Sequence, residues 1–486
     1  MLVESFSGIR GVYNKDLTED TARRYAYCYY SFLKERTKNE PKIAVGTDTR
    51  QGSAELKKAV IDVFSFVIDV GIATTPAVEL AVREYKLDGG VIITASHNEP
   101  EWNGFKFLDR DGAVLRPEGI GIVIKRFNKI KSIAERDFLN NYLYKEIKNQ
   151  RFFKPQTCTK FEQSKIKIHR VEKRHKELIN SYCRFLLKAL GKRNIGLIRK
   201  KRFKIVLDPN GGAAITLKPV FEKIGIKIIE INNKPGEFKR KIEPNAESLA
   251  YLKDEIGKNK ADLAAGFDCD GDRVEILLPD GKIVSGHYLL AVIAGDILSE
   301  IRSPGKKTIV VNDATSNVVK ETAEMHNAQV KETEVGEINV LDAMLRNNSP
   351  VGGEGSSSGV IIPPSRCRDG ALTLLYALKV MAKKAKPLSR ILGSYPKYFT
   401  LRKAVKFNAK NLQKIREKIK RYYLGKGSII QEIGGITGSL KIITGKKSFV
   451  WFRASKTEAD VFRVMADSPS ERAARKLLAE GARLIR

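Results

Sequence analysis

The chain has 486 residues, 42% hydrophobic and 30% charged, a globular composition too long for one ordinary core, which predicts three or four domains. Its five cysteines (Cys28, Cys158, Cys183, Cys269, Cys367) are scattered without a C-x-x-C pair, which argues against a disulfide framework or zinc site and suits a reducing cytoplasm. The net charge of +32 would attract anions, yet its Lys and Arg are spread along the chain with no RGG tract, zinc finger or aromatic-interleaved RNA-binding segment, so a dedicated nucleic-acid binder is disfavoured.

The opening MLVESFSGIRG lacks a basic stretch followed by an apolar one, so no secretory signal is expected. No apolar run reaches the roughly 18 residues a membrane span needs. Short apolar strands then alternate with amphipathic helical stretches, the pattern of α/β layers. Lys42–Asp48, Lys204–Asp208 and Lys307–Asp313 each read as a strand ending in Asp and leading through small or polar residues into a helix. Open α/β sheets place their ligand loops beyond such strand ends. A basic, polar stretch at 149–176 separates a first unit from a second, Asp280-Gly281 reads as a turn near the end of the second, and Ala382–Pro387 precedes a last unit. That last unit shows a helix over 408–422, a Gly-rich stretch, two strands and a closing helix, which is α+β.

Four loops carry groups suited to chemistry. After the strand Val91–Ile93 come Thr94, Ala95, Ser96, His97 and Asn98, with Lys106 further on. A serine there can act as a nucleophile, or the segment can be a hydrogen-bonded turn capped by Asn98. In GFDCDGDR, Asp268, Asp270 and Asp272 alternate and would point the same way along an extended loop. Like charges about 4 Å apart repel by roughly 1–4 kcal/mol at dielectrics between those of water and a protein surface, and a hard cation such as Mg²⁺ relieves this. An EF-hand fails here, because Arg273 stands where its glycine belongs and Pro279 where its Glu belongs. GGEGSSSG offers Glu354, Ser356, Ser357 and Ser358 for sugar hydroxyls, although a Gly/Ser linker has similar composition. Arg453, Ser455, Lys456 and Thr457 put two cations and two hydroxyls after the strand Phe449–Phe452, a set suited to a phosphate monoester or to a solvated turn. No dinucleotide fingerprint follows a strand, and Leu440 breaks the Walker-type pattern before Gly445-Lys446.

Together these segments resemble the α-D-phosphohexomutases, which include phosphomannomutase, phosphoglucomutase and phosphoglucosamine mutase. Gly8-Ile9-Arg10-Gly11 is similar to that family's N-terminal G-I-R-G, and Thr94–Lys106 to its T-A-S-H-N-P-x-x-x-N-G-x-K. Thr47-Asp48-Thr49-Arg50, Asp268–Arg273, Gly353-Glu354 and Arg453–Glu458 follow in the family's order. The resemblance implies three similar α/β mixed-sheet domains and a C-terminal α+β domain around a central cleft, at 1–155, 156–282, 283–392 and 393–486. It implies a phosphoserine at Ser96, whose phosphate joins Asp268, Asp270 and Asp272 around one Mg²⁺. It further implies Arg10 and Lys106 for charge stabilisation and proton transfer, with His97 and Arg273 supporting. Glu354 with Ser356 and Ser358 would grip the sugar, and Arg453, Ser455, Lys456 and Thr457 the phosphate that is not reacting.

The activity so implied is interconversion of hexose 1- and 6-phosphates through a bisphosphorylated intermediate, with a hexose 1,6-bisphosphate as activator, in a cytoplasmic monomer or homodimer. A phosphoglucosamine mutase is the alternative within the same chemistry. A non-catalytic, basic, nucleic-acid- or phosphosugar-binding protein is the alternative from another class. Glu99 stands where the family has Pro, Ala459 replaces the Pro after Glu458, and no His follows the serine loop's glycine. The last two of these departures bear on sugar preference.

Overall fold

The computed structural model describes residues 2–140, 170–302, 307–355, 358–455 and 460–485. Two compact units are present: residues 1–192 with 202–272, and residues 193–201 with 273–486.

In the first unit, β1 (Val3–Ser5), β2 (Gly8–Val12), β3 (Lys42–Thr47), β4 (Phe66–Ile72), β5 (Gly89–Ile93), β6 (Trp102–Asp109) and β7 (Arg170–Lys173) form a seven-stranded sheet. The order is β1-β2-β6-β5-β3-β4-β7. Strands β5, β3, β4 and β7 run parallel, whereas β6 is antiparallel to β5 and β2, so the sheet is mixed. The sequences IAVG and GGVII are apolar throughout because β3 and β5 are buried on both faces. Much of the presumed boundary at 149–176 lies outside the described residues, and its end, β7, pairs with β4.

The helix Glu19–Lys34 starts where the Thr18 hydroxyl accepts the Thr21 N–H (3.2 Å), with Glu19 and Asp20 in its first turn and Lys34 in its last. Those charges suit the helix dipole. It buries Tyr25, stacked on Phe127 at 3.8 Å, and Tyr29, whose hydroxyl donates to the Leu108 carbonyl (2.5 Å) and accepts the Gly90 N–H (3.0 Å). Glycine is required at position 89, where a Cβ would stand 2.0 Å from the Tyr29 hydroxyl. Three further strands complete this unit: β8 (Lys204–Asp208), β9 (Lys227–Glu230) and β10 (Leu263–Phe267), with β8 between the other two and all parallel.

The second unit includes β11 (Val274–Leu277). There β12 (Lys307–Asn312), β13 (Ala328–Thr333), β14 (Gly352–Gly353) and β15 (Val360–Ile361) form a sheet in the order β13-β12-β14-β15. The helices Gly286–Glu300 and Gly370–Lys384 are held by buried Lys379, which reaches Asp296 (2.9 Å) and Glu300 (2.7 Å). The last sheet is antiparallel, with β16 (Phe399–Lys406), β17 (Ile429–Ile433), β18 (Ser439–Gly445), β19 (Ser448–Ala454) and β20 (Val461–Ser468) in the order β16-β20-β19-β18-β17. Ile419, Leu440, Phe452 and Val464 sit in its core with the helices Leu412–Leu424 and Glu471–Ile485.

This confirms the α+β ending but corrects its details. The helix runs 412–424 after a short 3₁₀ turn at Ala409–Asn411, and five strands replace the expected two. Strands β16 and β17 lie at the sheet edges, where exposed Lys, Arg, Gln and Glu interrupt the apolar alternation that marks a strand.

Candidate active site

Ser96 lies three residues past the end of β5, in the strand-end loop where α/β sheets place ligand groups. It is 1% exposed, and its backbone is left-handed at φ +52°, a conformation that costs a non-glycine residue about 1–3 kcal/mol and persists where the surroundings impose it. Its amide donates to the Thr94 hydroxyl (2.8 Å), and its own hydroxyl donates to Asp268 Oδ2 (3.2 Å). Arg10, on β2, reaches the same loop by donating Nη1–H to Asn98 Oδ1 (2.6 Å).

The loop after β10 supplies Asp268, Asp270 and Asp272, all fully buried, with oxygens within 4.8 Å of one another. The Lys106 ammonium, carried by β6, donates to Asp270 Oδ2 (2.6 Å) and Asp272 Oδ2 (3.0 Å). Gly271 turns the loop at φ +67°, and a Cβ there would stand 2.7 Å from the Thr74 side chain. Thr75, at the start of the helix Thr75–Glu84, binds the loop twice: its hydroxyl donates to Asp270 Oδ2 (2.6 Å) and its amide to the Asp270 carbonyl (2.8 Å).

These aspartates fit a hard divalent cation. Asp270 Oδ1 is buried with no hydrogen-bond donor among the described residues, a state costing about 1–3 kcal/mol, or more for a charge, unless a cation supplies the missing contact. The donors are all carboxylate oxygens, the set Mg²⁺ takes.

The structure thus gathers Ser96, Lys106 and the three aspartates in the first unit, with Arg10 on the serine loop. His97 is the exposed member, 38% accessible, with Nδ1 3.9 Å from Glu243 Oε2. Arg273 begins the chain's return to the second unit.

In that second unit Glu354 follows β14, and its Oε1 accepts from Asn312 Nδ2 (3.0 Å) and the Gly336 amide (2.8 Å). Arg368 reaches its Oε2 at 3.5 Å and Glu337 at 2.7 Å, so the carboxylate is oriented from three sides. The Ser358 hydroxyl donates to the Glu275 carboxylate. His287 lies under this loop, where a Cβ on Gly355 would stand 2.5 Å from its Nδ1, and that nitrogen accepts the Ser316 amide (3.1 Å). Burial and the Arg402 guanidinium hold the His287 imidazolium pKa well below its usual value, so the ring is neutral near pH 7. Arg453, on β19, reaches Glu334 at 3.4 Å, and the Ser455 amide donates to the Val461 carbonyl (2.7 Å). Ser356, Lys456 and Thr457 lie outside the described residues.

Sequence reasoning missed Thr75, Asn312, Arg368 and His287 as parts of these sites. The only local signals were a threonine before a proline at a helix start and an Arg-Asp-Gly segment that reads as a plain turn.

Comparison with known proteins follows the same lines. Signatures of the phosphoglucomutase/phosphomannomutase α/β/α domains I, II and III match residues 4–134, 180–281 and 285–398. A phosphoglucomutase/phosphomannomutase of Thermococcus kodakarensis is 31% identical over 98% of this chain and 97% of its own length. The chain belongs to the α-D-phosphohexomutase family. Phosphohexomutases are intramolecular phosphotransferases, and this chain is accordingly a phosphosugar mutase. A phosphoglucosamine/phosphogalactosamine mutase of Sulfurisphaera tokodaii is 28% identical over 98% of each chain. The crystal structure of a phosphoglucomutase/phosphomannomutase family protein from Burkholderia thailandensis shares the fold, with a TM-score of 0.77 at 21% identity over 99% of this chain and 96% of that one. No helix among the described residues is long and apolar enough to cross a membrane.

Proposed function

We propose that this phosphohexomutase interconverts the 1- and 6-phosphates of mannose and glucose, with Ser96 as the group that carries the phosphoryl. The observation that supports it most is the buried Ser96 hydroxyl, 3.2 Å from Asp268 in a left-handed loop, beside an aspartate cluster that also holds Lys106. Asp268, Asp270 and Asp272, with the Ser96 phosphate, would hold one Mg²⁺. Bound there, the ion supplies neutralisation of the charge on the transferring phosphoryl oxygens.

In the first half-reaction the bond from phosphorus to Ser96 Oγ breaks as one forms to the free sugar hydroxyl, giving a bisphosphate. The hydroxyl's proton leaves to a base on the protein, and Lys106 and Arg10 are our assignments for charge stabilisation and proton transfer, with His97 and Arg273 supporting. The bisphosphate then turns over and returns its other phosphate to Ser96. Glu354, Ser356 and Ser358 would take sugar hydroxyls, and Arg453, Ser455, Lys456 and Thr457 the idle phosphate. The preset orientation of Glu354, gripped by Asn312 and the Gly336 amide, favours a fixed hydroxyl contact over a general acid role. We divide the chain into three catalytic domains and a phosphate-binding domain at 393–486, with the first domain reaching through β7, which pairs with β4, and the next two ending at 282 and 392.

The test is conversion of glucose, mannose and glucosamine 1-phosphates by the purified protein, with Mg²⁺ and a trace of the matching 1,6-bisphosphate as activator. Fast turnover of the glucose and mannose esters supports this reading. Turnover of glucosamine 1-phosphate alone selects the second reading, which the Sulfurisphaera relative favours by its name. Ser96→Ala should abolish turnover and leave the protein without phosphoserine by intact mass. Undiminished turnover in that variant overturns the phosphoserine mechanism.

A further inference from the structure

Arg50 is buried beneath the serine loop with its side chain fully inaccessible, and none of the groups assigned above includes it. A guanidinium has five N–H donors in a rigid planar fork. All five are used here. Nε donates to Asp48 Oδ2 (3.1 Å), Nη1 to the carbonyls of Glu99 (2.6 Å) and Trp102 (3.0 Å), and Nη2 to the carbonyls of Ser96 (2.7 Å) and Asn98 (2.5 Å). Asp48 is fixed in turn, because its Oδ1 accepts the Arg50 amide (3.0 Å) and the Ser53 hydroxyl (3.2 Å).

Two of the four carbonyls belong to Ser96 itself and to the residue two places on. A carbonyl's direction fixes the peptide plane that follows it, so these bonds set the backbone on the far side of the nucleophile. That backbone is the left-handed one at φ +52°, which relaxes to an ordinary conformation unless held. A saturated fork has no donor left for substrate phosphate, so Arg50 does not bind the ligand. A lysine, with three donors on a flexible stem, cannot reproduce the planar pattern.

We propose that Arg50, locked by Asp48, is a positioning residue that holds Ser96 in its left-handed conformation and thereby aims its oxygen at Asp268. The proposal rests on Ser96 being the phosphoryl carrier. Misplacing a reacting atom by about 1 Å costs on the order of 100-fold in rate, so Arg50→Lys should lower kcat by about that factor with KM within about twofold. Phosphoserine formation on incubation with glucose 1,6-bisphosphate, followed by intact mass, should slow by a similar factor. Arg50→Ala should regain both rates when guanidinium ion is added at concentrations that do not shift its melting temperature, while neutral urea should not restore them. This second variant also decides the matter should Arg50→Lys fold poorly. Wild-type kcat and phosphorylation rate in folded Arg50→Lys, or no recovery with guanidinium, overturns the positioning role. Wild-type phosphorylation of Ser96→Ala would instead overturn the carrier assignment, so the two failures are told apart.

Discussion

Thr75 gives Asp270 two hydrogen bonds, and only one of them comes from a side chain. Thr75→Val keeps the backbone contact and the volume but removes the hydroxyl that fixes Oδ2. Residues that orient a metal ligand are worth about 10–100-fold in metal affinity. The Mg²⁺ concentration for half-maximal turnover should therefore rise by about that factor, with Thr75→Ser restoring it. An unchanged Mg²⁺ titration would show that the hydroxyl does not orient the carboxylate. His287 makes a prediction of the opposite kind, on stability. Its imidazole is buried and neutral, whereas in the unfolded chain it protonates near pH 6.5. Below that pH the unfolded state binds a proton that the folded state refuses, so stability falls as pH falls, by up to about 1.4 kcal/mol per pH unit, while above it this residue contributes no pH dependence. The melting temperature measured from pH 7 to pH 5 should drop more steeply in the wild type than in His287→Gln.

At the scale of the element, β5 carries Ser96 and owes its position to the contact of Gly89 with Tyr29. Gly89→Ala would push a methyl group into the Tyr29 hydroxyl and the Leu108 carbonyl, and overpacking of this kind costs about 1–3 kcal/mol. Thermal unfolding should register the loss, and an unaltered midpoint would mean that the helix Glu19–Lys34 and β5 are packed less closely than this. Elements of this kind explain what the sequence made legible. Strands β3, β5, β8 and β12 announce themselves as apolar runs, and the serine loop and the aspartate loop are each contiguous, so their chemistry could be read in place. Arg50 and Thr75 could not be read in this way, because the loop carbonyls that Arg50 holds lie 46 to 52 residues away, the Asp270 that Thr75 holds lies 195 away, and no local pattern records such a pairing. Glu354 was recognised, but the residues that orient it, Asn312 and Arg368, come from a separate strand and a separate turn.

For the whole molecule, the proposed reading makes catalysis depend on a divalent ion held by the buried aspartates. Turnover should stop in excess chelator and return when Mg²⁺ is restored, and activity persisting in chelator would defeat the metal assignment. At this site two of the three carboxylates, Asp270 and Asp272, pair with the Lys106 ammonium. The hydrogen bond from Ser96 to Asp268 joins residues 172 positions apart, and that from Lys106 to Asp270 joins residues 164 apart. Chains grow from the N-terminus at about 5–20 residues per second, so Ser96 leaves the ribosome roughly 9–34 seconds before the carboxylates that complete its surroundings. A nascent chain arrested in that interval presents the serine loop without its acidic partners, and this cluster can form only after Asp272, past the middle of the 486 residues, has been made.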